Sequence, residues 1–285
     1  MVKIVCTINL KGGVGKTSMT VALSEFLAKE HGKRILVVDL DPQTNATVAL
    51  MDDKKWLEKD ERGETLLQLF KDKLDKTSKF ELDKAIVRGV SNVGGGIDNL
   101  DLIPSSLGLI EIQDTLPMIP HGRFHMTSPV TILKDTISNK LDDYDIVLID
   151  CPPNLGIITL NGLFISDYFL VPCIPDILST YGIPQILSRV KSFSTESNHQ
   201  VTPMGIVISM YRAQSRLHNT VMQDLKTKAA SGDYPKIFDT IIPLTVRTSE
   251  AADVGASVNT LKQKYGYGRI YDEYDALAKE FLRCV

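Results

Sequence analysis

The stretch INLKGGVGKTS, residues 8–18, decides how the rest of the chain is read. It closes on Gly15-Lys16-Thr17, the end of a phosphate-binding loop of the form G-x-x-x-x-G-K-[ST]. Where that pattern has its first glycine, this chain has Leu10, and Lys11 stands beside Gly12 and Gly13. An apolar strand-like run precedes the loop and a helical pattern follows it, and this context gives the match its meaning. Glycines let successive N–H groups turn inward around an anion, and the helix N-terminus adds its partial positive charge. Lys16 is thereby placed to reach the β- and γ-phosphates of a nucleotide, and the Thr17 hydroxyl to ligate Mg²⁺.

Further apolar runs recur along the chain. They cover 3–10, 34–40, 100–105, 144–152, 168–174, 203–210 and 238–244, and they are continuous rather than alternating. Continuous β-branched runs suit strands covered on both faces, as in a parallel sheet. Helical patterns fall at about 16–31, 105–116, 128–141, 179–197, 215–230 and 271–283. Strand–helix alternation predicts an α/β fold: a single doubly wound, mostly parallel sheet with helices on both faces. No Pro/Gly/Ser linker or internal repeat divides the 285 residues, so one domain over 1–285 is expected, with surface excursions at 52–98 and 117–127. His121 and His125 lie four apart, but Pro120 and Gly122 beside them speak against a helix and so against a metal pair.

Composition limits the partners. With 43% hydrophobic residues the chain can bury a large core, and a net charge of −3 argues against a wholesale polyanion binder. Residues 186–285 carry 13 basic against 10 acidic residues, so what positive character exists lies in the C-terminal third. Cys6, Cys151, Cys173 and Cys284 have neither C-x-x-C nor Cys/His metal spacing and read as small buried thiols of a reduced, cytoplasmic compartment. The start MVKIVCTINLK shows no leader, and no stretch is apolar enough for a membrane span.

A phosphate loop needs acidic groups at the ends of neighbouring strands. RILVVDLDPQTN supplies Asp39 and Asp41, and YDIVLIDCPP supplies Asp150. A carboxylate after an apolar run sits where such a sheet presents ligand groups. Asp150 is the expected Mg²⁺ partner, acting through water.

Together KGGVGKT, DLDPQTNAT and IDCPPNLG resemble the ParA/MinD group of deviant Walker ATPases, closest to the ParA-type partition ATPases. LDLIPSS, TLNGL and IPLTVRTSEA extend the likeness over nearly the whole chain. The resemblance implies that Lys11 is a signature lysine, reaching across a sandwich homodimer to the nucleotide held by the other subunit. It implies that Lys16 and Lys11 stabilise the phosphates of ATP, that Asp41 orients the attacking water and touches the metal through water, and that Gly12, Gly13, Val14, Gly15, Thr17 and Ser18 complete the phosphate site. Adenine contacts are expected around Met210 and Pro243, and switch segments at 39–47 and 150–158. Slow hydrolysis, stimulated by an activator bound to a plasmid, chromosome or protein body, would act as a timer.

The same resemblance implies ATP-dependent binding of non-specific double-stranded DNA and a nucleoid-associated location. Arg212, Arg216 and Arg247 are the first candidates for that surface, then Lys226, Lys228 and Lys262. The competing class, a membrane-associated MinD-like ATPase, would need a basic amphipathic C-terminal helix. Here YDEYDALAKEFLRCV has more acidic residues than its Lys279 and Arg283, so no membrane partner is expected. An iron–sulfur reductase would pair cysteines between subunits, and Cys151 has no second cysteine at a useful spacing. A nucleotide-dependent interaction module without hydrolysis is the remaining alternative.

Overall fold

Seven of the apolar runs pair in one all-parallel sheet: β1 (Lys3–Thr7), β2 (Ile35–Asp39), β3 (Leu100–Ile103), β4 (Ile146–Asp150), β5 (Tyr168–Cys173), β6 (Thr202–Tyr211) and β7 (Ile237–Pro243). The computed structural model describes residues 1–118, 128–245 and 258–285. The strand order is β3-β2-β4-β1-β5-β6-β7, so the chain leaves β1 at the centre and winds out in both directions. Register fixes what meets at the carboxyl edge: Thr7 pairs with Asp150, and Asp150 with Asp39.

Successive strand side chains point to opposite faces, and each face has its own core. On one face Cys6, Val38 and Ile149 pack with Phe70, Leu163 and Ile186; on the other Val5, Val37 and Leu148 pack with Phe26, Tyr274 and Phe281. The helices divide accordingly. α1 (Lys16–Lys29), α2 (Asn45–Leu50) and the last two helices cover the second face; α4 (Leu66–Asp75), α7 (Ile132–Ile137), α8 (Ile157–Ile165), α10 (Ile183–Ser197) and α11 (Arg216–Ala230) cover the first. Those last two are α12 (Leu261–Tyr265) and α13 (Arg269–Leu282), and α13 packs on α1 and β7.

Several helix boundaries differ from the sequence reading. The pattern at 179–197 is broken at Gly182 into α9 (Ile177–Tyr181) and α10, with proline in the first turn of α10, where a missing N–H costs nothing. At 105–116 only α6 (Leu109–Ile112) and a 3₁₀ turn at Leu116–Met118 form. The stretch 52–98, expected as a surface excursion, requires correction. α3 (Asp53–Glu61) is free of buried residues, but Leu66, Leu69 and Phe70 of α4 and Val87, Val90 and Val93 beyond α5 (Leu82–Ala85) are buried in the two cores. Leu66, Leu69 and Phe70 stand at i, i+3 and i+4, a helical stripe that follows the charged segment around Trp56. Of 117–127, residues 119–127 with His121 and His125 lie outside the described residues.

Candidate functional site

β1 ends in the core and the chain then turns through the glycines before α1 begins at Lys16. Gly13 and Gly15 take φ of 74° and 85°, left-handed values that a residue with a side chain adopts only under strain. The loop is braced from within: Asn9 donates from Nδ2 to the Pro172 carbonyl at 2.8 Å and accepts from the Lys11 amide at 2.9 Å. Ser209 on β6 donates to the carbonyl of buried Val14 at 2.7 Å. The loop therefore opens onto a preformed cavity of about 380 Å³, lined at this end by Gly12, Gly13, Lys16, Thr17, Ser18 and Asp41.

The register places the acidic residues around it. Thr17 donates from Oγ1 to Asp150 Oδ2 at 2.7 Å, and Thr20 reaches the other oxygen at 3.4 Å. Asp150 is fully buried behind Thr17 and does not itself line the cavity. Burial pushes its carboxyl up to about 7; the Thr17 hydrogen bond opposes the rise, Asp41 adds to it and Lys16 opposes it. Lys16 is 6% exposed, and burial pulls it below the ordinary lysine value against the pull of Asp150 and Asp41.

Asp39 and Asp41 have different tasks. Asp39 is enclosed and accepts from the Thr47 amide and hydroxyl at 2.8 and 2.7 Å and from the Asp41 amide at 3.1 Å. Burial, then the neighbouring Asp150, holds it well above the usual carboxylate range. It shapes the turn rather than facing the cavity. Asp41 does face it, with its backbone held by the Ser105 hydroxyl at 2.8 Å and its carboxyl capping the Gln43 amide at 2.9 Å.

Among the described residues no group of His, Cys, Asp or Glu could hold a metal alone. The donors present, a threonine hydroxyl backed by carboxylates, are hard oxygen ligands of the kind Mg²⁺ takes alongside phosphate oxygens and water. Thr17 would contact such an ion directly and Asp150 and Asp41 through water. The ion would supply charge neutralisation between phosphate oxygens.

Lys11 points elsewhere. Its ammonium lies 3.0 Å from Asp176 Oδ2 and 3.0 Å from Ser179 Oγ, on α9 of its own chain, and the side chain is 36% exposed. Asp176 caps α9 by accepting from the Ser179 amide at 2.6 Å. Neither partner was found from sequence, although Asp-x-x-Ser at a helix start is a capping pattern.

Met210 and Pro243 meet in an adjoining cavity of about 90 Å³, and Met210 borders the larger one as well. The basic candidates do not form one cluster. Arg212 and Arg216 are exposed at the start of α11, on the edge that carries the phosphate loop; Lys226 and Lys228 sit ten or more residues further along that helix, about 15 Å away. Lys228 is paired with Asp224 at 2.7 Å, Lys262 is on α12, and Arg247 lies outside the described residues.

With this geometry in place, residues 2–203 match the family model of the AAA domain. The chain is 31% identical to the sporulation initiation inhibitor protein Soj of Bacillus subtilis over 258 residues, 90% of each protein. It is 30% identical to the chromosome-partitioning ATPase Soj of Treponema pallidum, over 99% of this chain and 98% of that one. The chain belongs to the ParA-type partition ATPases. Its fold also matches a crystal structure of cobyrinic acid a,c-diamide synthase from Mycobacterium smegmatis with bound ATP analog and magnesium, at TM-score 0.73 and 25% identity over 99% of this chain and 95% of that one. These matches agree with the resemblance read from the glycine loop and the aspartate segments.

Proposed function

We propose that this chain binds and slowly hydrolyses ATP with Mg²⁺, dimerises around the nucleotide, and in that state holds non-specific DNA to position a cargo. The observation that carries the reading is the convergence of Lys16, Thr17, Asp41 and, behind them, Asp150 at the carboxyl ends of β1, β2 and β4. In this site the glycine loop and Lys16 bind the phosphates, Thr17 holds the metal side, and Asp41 positions a water for attack on the terminal phosphorus. Asp41 is the one carboxylate among the described residues lining the cavity, so no stronger base stands by, and slow turnover follows.

Dimerisation is supported by the exposure of Gly12, Gly13 and the half-exposed Lys11 at one rim, where a second subunit would find them. A second cation there would neutralise charge that builds on the terminal phosphate. Arg212 and Arg216 at the same edge support a DNA-facing surface, with contacts doubled in a dimer and weakened by salt. The membrane-associated reading has less support. No helix among the described residues can cross a membrane, and α13 spends its apolar residues Leu277, Ala278 and Phe281 on the core.

Calorimetric titration with ATP–Mg²⁺ should give saturable binding to the natural protein and none to Lys16→Ala; equal binding refutes the site. Co-sedimentation of the ATP-bound protein with random duplex DNA and, separately, with anionic vesicles should recover it with the DNA alone. Recovery with vesicles and not DNA would replace this function by the membrane-associated one.

A further inference from the structure

Tyr274, in the middle of α13, is 2% exposed as a residue; its hydroxyl bonds to no other described residue and is not among the fully enclosed polar atoms, so it opens to the cavities it lines. A phenol hydroxyl that meets only cavity solvent keeps both its donor and its acceptor capacity free for a ligand. The side chain borders both cavities, which share Gly15, Ser18, Met210 and Tyr274 as a common wall. Its ring is fixed: it lies 5.2 Å from that of Tyr265 and 6.0 Å from that of Phe26, between centroids. Tyr265 is itself anchored through its hydroxyl to buried Glu25 at 2.6 Å, and Glu25 to Lys264 at 2.7 Å. The solvent its hydroxyl can meet is therefore that of the cavities.

The smaller cavity has the walls a flat heteroaromatic base needs, with Met19, Met210, Ile242, Pro243 and Leu244 around it. The Ser209 hydroxyl on its wall is already given to the Val14 carbonyl. Arg212, at the end of β6, is turned to solvent and its amide is taken by His218. We propose that the Tyr274 hydroxyl hydrogen-bonds to the base of a nucleotide whose phosphates sit in the glycine loop, so that the C-terminal helix forms part of the base pocket. This rests on the nucleotide-binding reading and adds to it a residue from an element remote in sequence from the loop. A phenol both donates and accepts, which fits the ring nitrogens and exocyclic amine along a purine edge.

The test compares natural protein and Tyr274→Phe, each titrated with ATP–Mg²⁺ and with ribose 5-triphosphate, which lacks the base, alongside the melting temperature of the free proteins. Loss of one neutral hydrogen bond should weaken ATP about three- to tenfold. Binding of the abasic triphosphate should not change, and the free variant should melt at the same temperature or higher. Unchanged ATP affinity overturns the proposal, and so does equal weakening of both ligands, which would place the effect on ribose or on the loop. If the natural protein binds neither ligand, the nucleotide reading beneath it fails instead.

Discussion

At the scale of single residues, three aspartates at one sheet edge do three different things. Asp41 faces the cavity, Asp150 stands behind Thr17, and Asp39 ties the turn between them. Asp41→Ala should therefore keep ATP affinity and lower turnover by about 10²-fold or more, the scale of a lost water-positioning group. Phosphate release measured at saturating ATP checks it, and normal turnover would remove Asp41 from the mechanism. Asp150 allows a pH test in the nucleotide-free protein. Its folded value, about 7, is above the unfolded one, so its contribution is present below the unfolded value and is lost as pH rises towards 7. Asp150→Asn should then raise the melting temperature, with a gain that grows between about pH 4 and 7 and levels off above. A gain independent of pH would mean that the carboxyl is not held protonated. These residues were legible beforehand because their types and strand-end positions carry the chemistry. Asp176 and Tyr274 were not, because nothing local marks a residue whose role depends on what folds against it.

Elements were legible in proportion to how local their signal is. All seven strands were read, since each is a continuous apolar run bounded by turn residues. α8 was missed because IITLNGLFI is apolar on almost every side, and such a run has no helical stripe to distinguish it from a strand. The buried group formed by Glu25 of α1, Lys264 and Tyr265 of α12 and the Ser91 hydroxyl was also out of reach, since its members are distant in sequence. It joins the helix that begins at Lys16 to the C-terminal part of the chain. Lys264→Met leaves the Glu25 carboxylate without its cation and should destabilise the fold by about 3–5 kcal/mol. Adding Glu25→Gln should recover much of that loss. Urea unfolding of the single and double variants decides it, and equal losses would show that the charge pair is not what matters.

For the molecule as a whole, the sheet order brings segments from across the sequence to one edge, and a second copy is expected to close over that edge. Lys11→Ala should bind ATP as a monomer nearly as well as the natural protein but fail to form the ATP dimer; light scattering with and without ATP–Mg²⁺ tests this. A dimer of normal stability would assign Lys11 to its own chain. The Lys11–Asp176 pair already supplies such an assignment in the single chain, at 3.0 Å and in part exposed. A half-exposed ion pair of this kind is worth at most about 1 kcal/mol, small enough for a multiply charged phosphate to outbid. The lone protein thus keeps the cation proposed to bridge two copies at home at little cost, and an encounter between two empty copies gives it no reason to leave.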